Sequence, residues 1–373
     1  MNFAAPGTSS CSTAGSPRLR DPAPRLLFVP VSGRFGMGEY ARSLAIAQGV
    51  EARWPGAAIH FVLSREAPYA GGTPYPATLL PSSATFHTAE VCELMRSWRP
   101  DVVIFDNAGR SAQLRAAKAC GASVVYVSAR RRQRRKAFRL RWMRAIDEHW
   151  IAYPRFIAGG LRPLERLKLR IMRRPRVRFL DVVLARSQGA KGESILARLG
   201  CAPGAYALVV PGGGTGHPGA ADAVTRFSAA ARELARTTLD TVYVGAVGPD
   251  DGETSGRLRL PGALPQGDLA ELMRGARLVI TNGGSTLLQA IACGRPCIAV
   301  PIAKDQAERI RRCAAAEVAV PAPLDAAAIC STASALLGAP GRLQALVDRA
   351  MALALEDGVD VAVRALTSLV ERR

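Results

Sequence analysis

The sequence predicts an α/β protein of two Rossmann-like halves that face each other across a cleft, with the last helix packing back on the first half. Three observations predict it. Short apolar runs alternate with helical patterns of about 10–15 residues, the signature of parallel sheets wound with helices on both faces. The alternation starts afresh after residue 200, and 373 residues suffice for two domains at roughly 100–200 residues each. Glycine-rich turns follow the runs ending near 31, 211 and 282, each where a strand feeds a helix. Such turns aim backbone N–H groups and the positive helix end at any anion held there.

The elements follow in order. Residues 1–24, rich in Ser, Ala, Gly and Pro, read as a disordered leader without the charged and apolar regions of a signal peptide. A first Rossmann-like domain is expected over 25–200. It opens with a strand at 25–31, the turn 32–38 and a helix over 39–53. A strand at 58–63, a helix at 90–98 and a strand at 100–105 follow, the last stopped by Asp106 and Asn107. Residues 113–120 are helical and 122–127 a strand. Residues 134–146 read as one helix, with Phe138, Trp142 and Ile146 as an apolar stripe and Arg131, Arg135 and Arg139 on another face. Strands at 149–153 and 179–184 complete this half. A second Rossmann-like domain is expected over 201–345. It has a strand at 206–211, a glycine loop at 212–216, a helix over 220–237 and a strand at 241–245. A helix at 268–274, a strand at 276–280, a helix ending at 293 and a strand at 296–300 complete it. A closing helix is expected over about 342–371, and 346–373 is set apart from the second half as the C-terminal segment.

The composition is 49% hydrophobic and 21% charged, which excludes a disordered or collagen-like chain. No stretch approaches the roughly 18 uninterrupted apolar residues of a membrane span. Fifty Lys and Arg oppose 30 Asp and Glu, a formal charge of +20. Residues 129–178 hold eighteen cations against Asp147, Glu148 and Glu165, so this one segment carries +15. Composition bias explains Arg over Lys but not concentration in one segment. Such an excess suggests nucleic acid, an anionic membrane surface or an acidic ligand. The eight cysteines form no CxxC pair, so they read as small core residues of a reducing, cytoplasmic compartment. No metal set stands out.

The most specific stretch is 276–306, a strand ending in Thr281-Asn282-Gly283-Gly284-Ser285-Thr286, a helix, a second strand, and Lys304-Asp305-Gln306. It resembles the nucleotide-sugar signature of GT-B glycosyltransferases, the MurG-type GlcNAc transferases and UDP-glycosyltransferases above all. The loop at 211–216 resembles that family's phosphate loop, and 32–47 its acceptor loop and first helix. The resemblance implies a donor site in which Gly283, Gly284, Ser285 and Thr286 meet the diphosphate and Gly213, Gly214 and Thr215 close on it. It implies that Leu264 lets backbone meet the uracil, that Asp305 and Gln306 read sugar hydroxyls, and that Gln289 stands where a ribose-binding Glu is usual. Gly36 and Gly38 fall in the acceptor loop, and Glu39 falls where relatives place a catalytic His.

Sugar transfer gives the anomeric carbon oxocarbenium character, so the leaving diphosphate needs donors and the acceptor hydroxyl needs a base. Glu39 and Asp106 are the candidate bases, each needing burial to raise its pKa. His149 and His217 are weaker candidates. The expected function is an inverting, metal-independent transfer from a UDP-sugar, with no cofactor, to a lipid-linked or glycan acceptor in bacterial cell-envelope synthesis. The protein would be peripheral on the inner face of the membrane, with the Phe138 stripe lying on an anionic leaflet. A sugar-nucleotide hydrolase or epimerase of the same fold is the alternative. A nucleic-acid module using the arginines, with Phe138 and Trp142 stacking on bases, ranks lowest.

Overall fold

A computed structural model describes residues 23–186, 194–212, 221–245 and 256–372. The expected leader therefore lies almost wholly outside the described residues.

The first half runs β1 (Arg25–Pro30), α1 (Gly38–Arg53), β2 (Ala58–Ser64), β3 (Ala77–Leu80), α2 (Thr88–Trp98), β4 (Val102–Asp106), α3 (Ser111–Ala119) and β5 (Ser123–Ser128). It continues with α4 (Arg131–Ala137), α5 (Leu140–Met143), β6 (Glu148–Ile151), α6 (Arg155–Ala158), α7 (Pro163–Met172) and β7 (Arg176–Phe179). The second half runs α8 (Ile195–Arg198), β8 (Tyr206–Val210), α9 (Ala221–Thr237), β9 (Asp240–Tyr243), β10 (Leu258–Arg259), α10 (Gln266–Gly275) and β11 (Leu278–Asn282). Then come α11 (Ser285–Ala292), β12 (Cys297–Val300), α12 (Lys304–Ala315), β13 (Val320–Pro321), α13 (Ala326–Leu337), α14 (Pro340–Ala352) and α15 (Gly358–Val370).

The strands form two parallel sheets, ordered β3-β2-β1-β4-β5-β6-β7 and β10-β9-β8-β11-β12-β13. Strands buried on both faces read as near-continuous apolar runs. In β1, Leu26 to Val29 are all fully buried. Leu26 and Phe28 pack with α1 and α15 on one face, and Leu27 and Val29 with α3, α4 and α5 on the other. The winding reverses between β1 and β4, and again between β8 and β11. In open α/β sheets ligands bind outside the carboxyl ends of strands at such reversals. The positions at stake are the loop after β1 with Asp106 and Asn107, and Gly212 with Asn282 to Ser285.

Three sequence expectations change. The helix expected over 134–146 is two short helices, α4 and α5, and the supposed exposed stripe is core. Phe138, Trp142 and Ile146 are 3%, 1% and 0% exposed. Trp142 meets Tyr126 edge-on at 5.1 Å and donates its indole N–H to Ser111 Oγ at 3.0 Å. This stripe therefore does not lie on a leaflet or stack on bases, whereas Arg131, Arg135 and Arg139 are exposed. The strand expected over 179–184 is β7, ending at Phe179. The closing helix is broken between Ala352 and Gly358, where Ala354 adopts φ 45° and Asp357 caps α15 by accepting from the Val359 N–H at 2.8 Å. α15 packs back on the first half as expected: Val361, Ala362, Ala365, Leu366 and Leu369 join the cluster of Phe28 and Ile46.

Candidate active site

At the first reversal, Glu39 occupies the second position of α1, where the helix dipole favours an anion. Its carboxylate is 16% exposed and accepts from Asn107 Nδ2 at 2.8 Å, with Arg130 Nη2 4.0 Å away. Asn107 holds φ 52°, a left-handed conformation Asn tolerates, and its Oδ1 accepts from the Ala129 N–H at 2.9 Å. One buried amide thus ties the carboxyl ends of β4 and β5 to the start of α1. Asn107 was not among the sequence candidates; an Asn after a strand reads as an ordinary turn residue.

Asp106 takes a different role. Both its oxygens accept from Arg42, at 2.7 and 2.8 Å, with the two side chains 1% and 8% exposed. Burial pushes its carboxyl up to about 6 against the pull of Arg42. Burial opposes the Arg42 charge in turn, and Asp106 outweighs it, so Arg42 stays protonated. An aspartate gripped at both oxygens is a positioning group for α1 and not an open base. Gly36, with φ 80°, lies exposed between β1 and α1, alongside Phe35, which is 62% exposed, and Gly38 is the exposed first residue of α1. His149 is core: burial, with Arg134 adding, pushes it down to about 3, and it pairs with Ser128 Oγ at 2.8 Å. His217 lies outside the described residues.

At the second reversal, Asn282 is the link between loops. Its Nδ2 donates to the Pro211 carbonyl and its Oδ1 accepts from the Gly284 N–H, both at 2.7 Å. Gln306 Oε1 accepts from the N–H groups of Gly283, at 3.2 Å, and Ile302, at 3.0 Å. The amides of Gly283 and Gly284 are thus spent inside the loop, contrary to the diphosphate contacts expected of them. Gln306 is buried and its Oε1 braces this loop. The orphan N–H groups are those of the first turn of α11, beginning at Ser285 and Thr286. Ser285 is exposed and Thr286 nearly buried.

The glycines are required by space. A Cβ on Gly283 would stand 2.7 Å from Ile310 Cγ1, and one on Gly284 2.6 Å from Asn282 Oδ1. Gln289, expected at the ribose, donates from Nε2 to the Val183 carbonyl of the linker at 3.1 Å. Leu264 is half-buried before α10, and Asp305 is exposed in the first turn of α12. Gly213, Gly214 and Thr215 lie outside the described residues. Among the described residues no group of three His, Cys, Asp or Glu converges in a metal-holding arrangement.

The two sites adjoin. Arg309 donates to the Gly283 carbonyl, and its guanidinium lies 4.9 Å over the ring of Tyr153, beyond β6. Arg312 donates to the Ile157 carbonyl in α6, so α12 bridges the halves. These contacts bring the segment after β6 beside the loop that precedes α11.

No family model and no curated protein matches the sequence. Solved structures do resemble it. The spinosyn rhamnosyltransferase SpnG with spinosyn aglycone superposes with a TM-score of 0.63 at 15% identity, covering 92% of this chain and 100% of that one. Arabidopsis thaliana UGT89C1 with UDP gives 0.62 at 14% identity, covering 93% and 99%. A Listeria monocytogenes protein described as a UDP-N-acetylglucosamine 2-epimerase gives 0.57 at 15%, covering 94% and 96%. The fold is GT-B. In GT-B terms β1 to β7 form the N-terminal half and β8 to β13 the C-terminal half, the architecture expected from the sequence.

Proposed function

We propose that the protein is an inverting glycosyltransferase that moves a sugar from a UDP-sugar to an acceptor hydroxyl, without metal or cofactor. The reading rests on two features: Glu39, held by Asn107 at the carboxyl end of β4, and the helix N-terminus at Ser285 and Thr286 after β11, in halves that touch through Arg309 and Tyr153. The diphosphate lies at the first turn of α11, where orphan N–H groups and two hydroxyls receive the charge of the leaving group. The Leu264 backbone meets the base, and Asp305 meets the transferred sugar. Glu39 accepts the proton of the acceptor hydroxyl as its oxygen bonds to the anomeric carbon. The bond from that carbon to the diphosphate breaks on the opposite face, and UDP leaves with the electron pair. The acceptor is carried on a lipid at an anionic membrane surface and enters between Gly36, Gly38 and the exposed Phe35.

A second reading, hydrolysis or epimerisation of the donor, is favoured by the epimerase among the neighbours. A thermal-shift panel of nucleotides and nucleotide-sugars, followed by product analysis with UDP-sugar alone, separates the two. Selective stabilisation by UDP compounds with slow acceptor-free turnover supports transfer. Rapid acceptor-free turnover supports the second reading, and equal response to every nucleotide contradicts both.

A further inference from the structure

Helix α7 is built inside out. Its one acid, Glu165, is 8% exposed and faces the protein, where Arg134 grips it at 2.7 and 3.2 Å. Leu164, Leu167 and Ile171 point to solvent and are 61%, 53% and 70% exposed. The spacing of three and then four residues puts these side chains on one face. A water-facing helix normally shows the reverse arrangement. No packing need explains the stripe, because α7 is already held from its other side by Glu165 and by Lys168, whose Nζ donates to the Phe138 carbonyl at 3.1 Å.

The surroundings are cationic. The three acids of segment 129–178 are all consumed internally: Asp147 by Lys118, Glu148 by Arg178 and Glu165 by Arg134. The exposed side chains of Arg162, Arg166, Arg170 and Arg173, on and beside α7, are not the partners that these three acids take in those ion pairs. At its C-terminal end the helix runs into a cleft of about 230 Å³ lined by Arg173, Arg174, Arg176 and Arg372, with Asp147 the single acid. An apolar ridge collared by arginines, next to an arginine-lined cleft, matches a surface with an apolar interior and anionic head groups. The N-terminal end of α7 follows α6, which touches α12 at the cleft between the halves. The arginine-lined cleft at the other end of α7 lies by Ser123, Asp147 and Arg176, at the amino ends of β5, β6 and β7.

We propose that the outer face of α7, with Leu164, Leu167 and Ile171 as its ridge, docks the protein on an anionic lipid bilayer. The inference deepens the lipid-borne acceptor and rests on that reading for its purpose, but binding itself needs no turnover. The test is co-sedimentation of the full chain with vesicles of neutral phosphatidylcholine or of phosphatidylcholine with 30% phosphatidylglycerol. It is run at low and high salt, on the wild type and on Leu167→Ser/Ile171→Asn. Both positions are solvent-exposed, and UDP titration of each protein verifies that the donor site is intact. The expected result is binding to anionic vesicles that falls at least tenfold in the variant and with salt, while UDP binding is unchanged. Equal vesicle binding by the two proteins overturns the proposal, as does no binding by either. A ridge that instead sustains a dimer, lost in the variant by light scattering, or that binds duplex DNA in preference to vesicles, overturns it too. None of these outcomes bears on transfer chemistry, which UDP binding and turnover report separately.

Discussion

Replacing Asp106 by Asn removes the partner of a buried cation and leaves its hydrogen-bonding shape nearly intact. Arg42 is 8% exposed and makes two bonds of 2.7 and 2.8 Å to this one carboxylate. Breaking a buried pair from one side strands a charge in low dielectric, at a cost of about 3–5 kcal/mol. With a urea m-value of about 2 kcal/mol/M, the midpoint should fall by about 1.5–2.5 M. All four tryptophans, Trp54, Trp98, Trp142 and Trp150, lie in the N-terminal half, so tryptophan fluorescence reads that half alone. The double variant Arg42→Met/Asp106→Leu removes both charges and should recover most of the loss, since an apolar replacement leaves no uncompensated charge. A single variant that loses less than about 1 kcal/mol would refute the reasoning, as would a double variant as unstable as the single one.

Three further outcomes are expected. His149 titrates at about 3 when folded against an ordinary 6.5, so its contribution is intact above pH 6.5 and lost as pH falls toward 3, at about 1.4 kcal/mol per pH unit. The stability difference between wild type and His149→Gln should therefore shift by about 2 kcal/mol against the wild type between pH 6.5 and 5, and a difference constant over that range would count against it. Trp142→Ala should cost about 3–5 kcal/mol in the same fluorescence assay, because the ring is core; a near-neutral result would return it to the surface. Glu39→Gln should lower kcat by about 10²–10⁴ and leave UDP affinity unchanged, and unaltered turnover would remove Glu39 as the base.

The central strands were legible because burial on both faces leaves no room for polar residues, as in β1, β4, β8 and β11. Edge strands were not. In β3, Leu79 is 37% exposed beside Thr78, and β10 and β13 span two residues each, too short for any periodicity. Periodicity also could not say which medium an apolar stripe meets. The four-residue repeat of Phe138 and Trp142 is the same for a core helix as for one lying on a leaflet, and the sheet claims it. The converse happened at α7, where Leu164, Leu167 and Ile171 sit among arginines and the element went unseen. Within the site the glycines and Glu39 could be read as motif. The side-chain amides were harder to read: Gln289 and Gln306 brace neighbouring backbone, and Asn107 and Asn282 went unnoticed. A side-chain amide can bind a ligand or brace a loop, and only its partners tell which.

The most direct test of the account is calorimetric titration of UDP into the wild type and into Gly284→Ala. A Cβ at this position meets the Asn282 Oδ1 that holds the Gly284 amide, and so disturbs the link to Pro211. The account predicts saturable UDP binding by the wild type and at least a tenfold loss in the variant, about 1.4 kcal/mol or more. UDP that fails to bind, or that binds both proteins alike, would contradict a donor site at the start of α11.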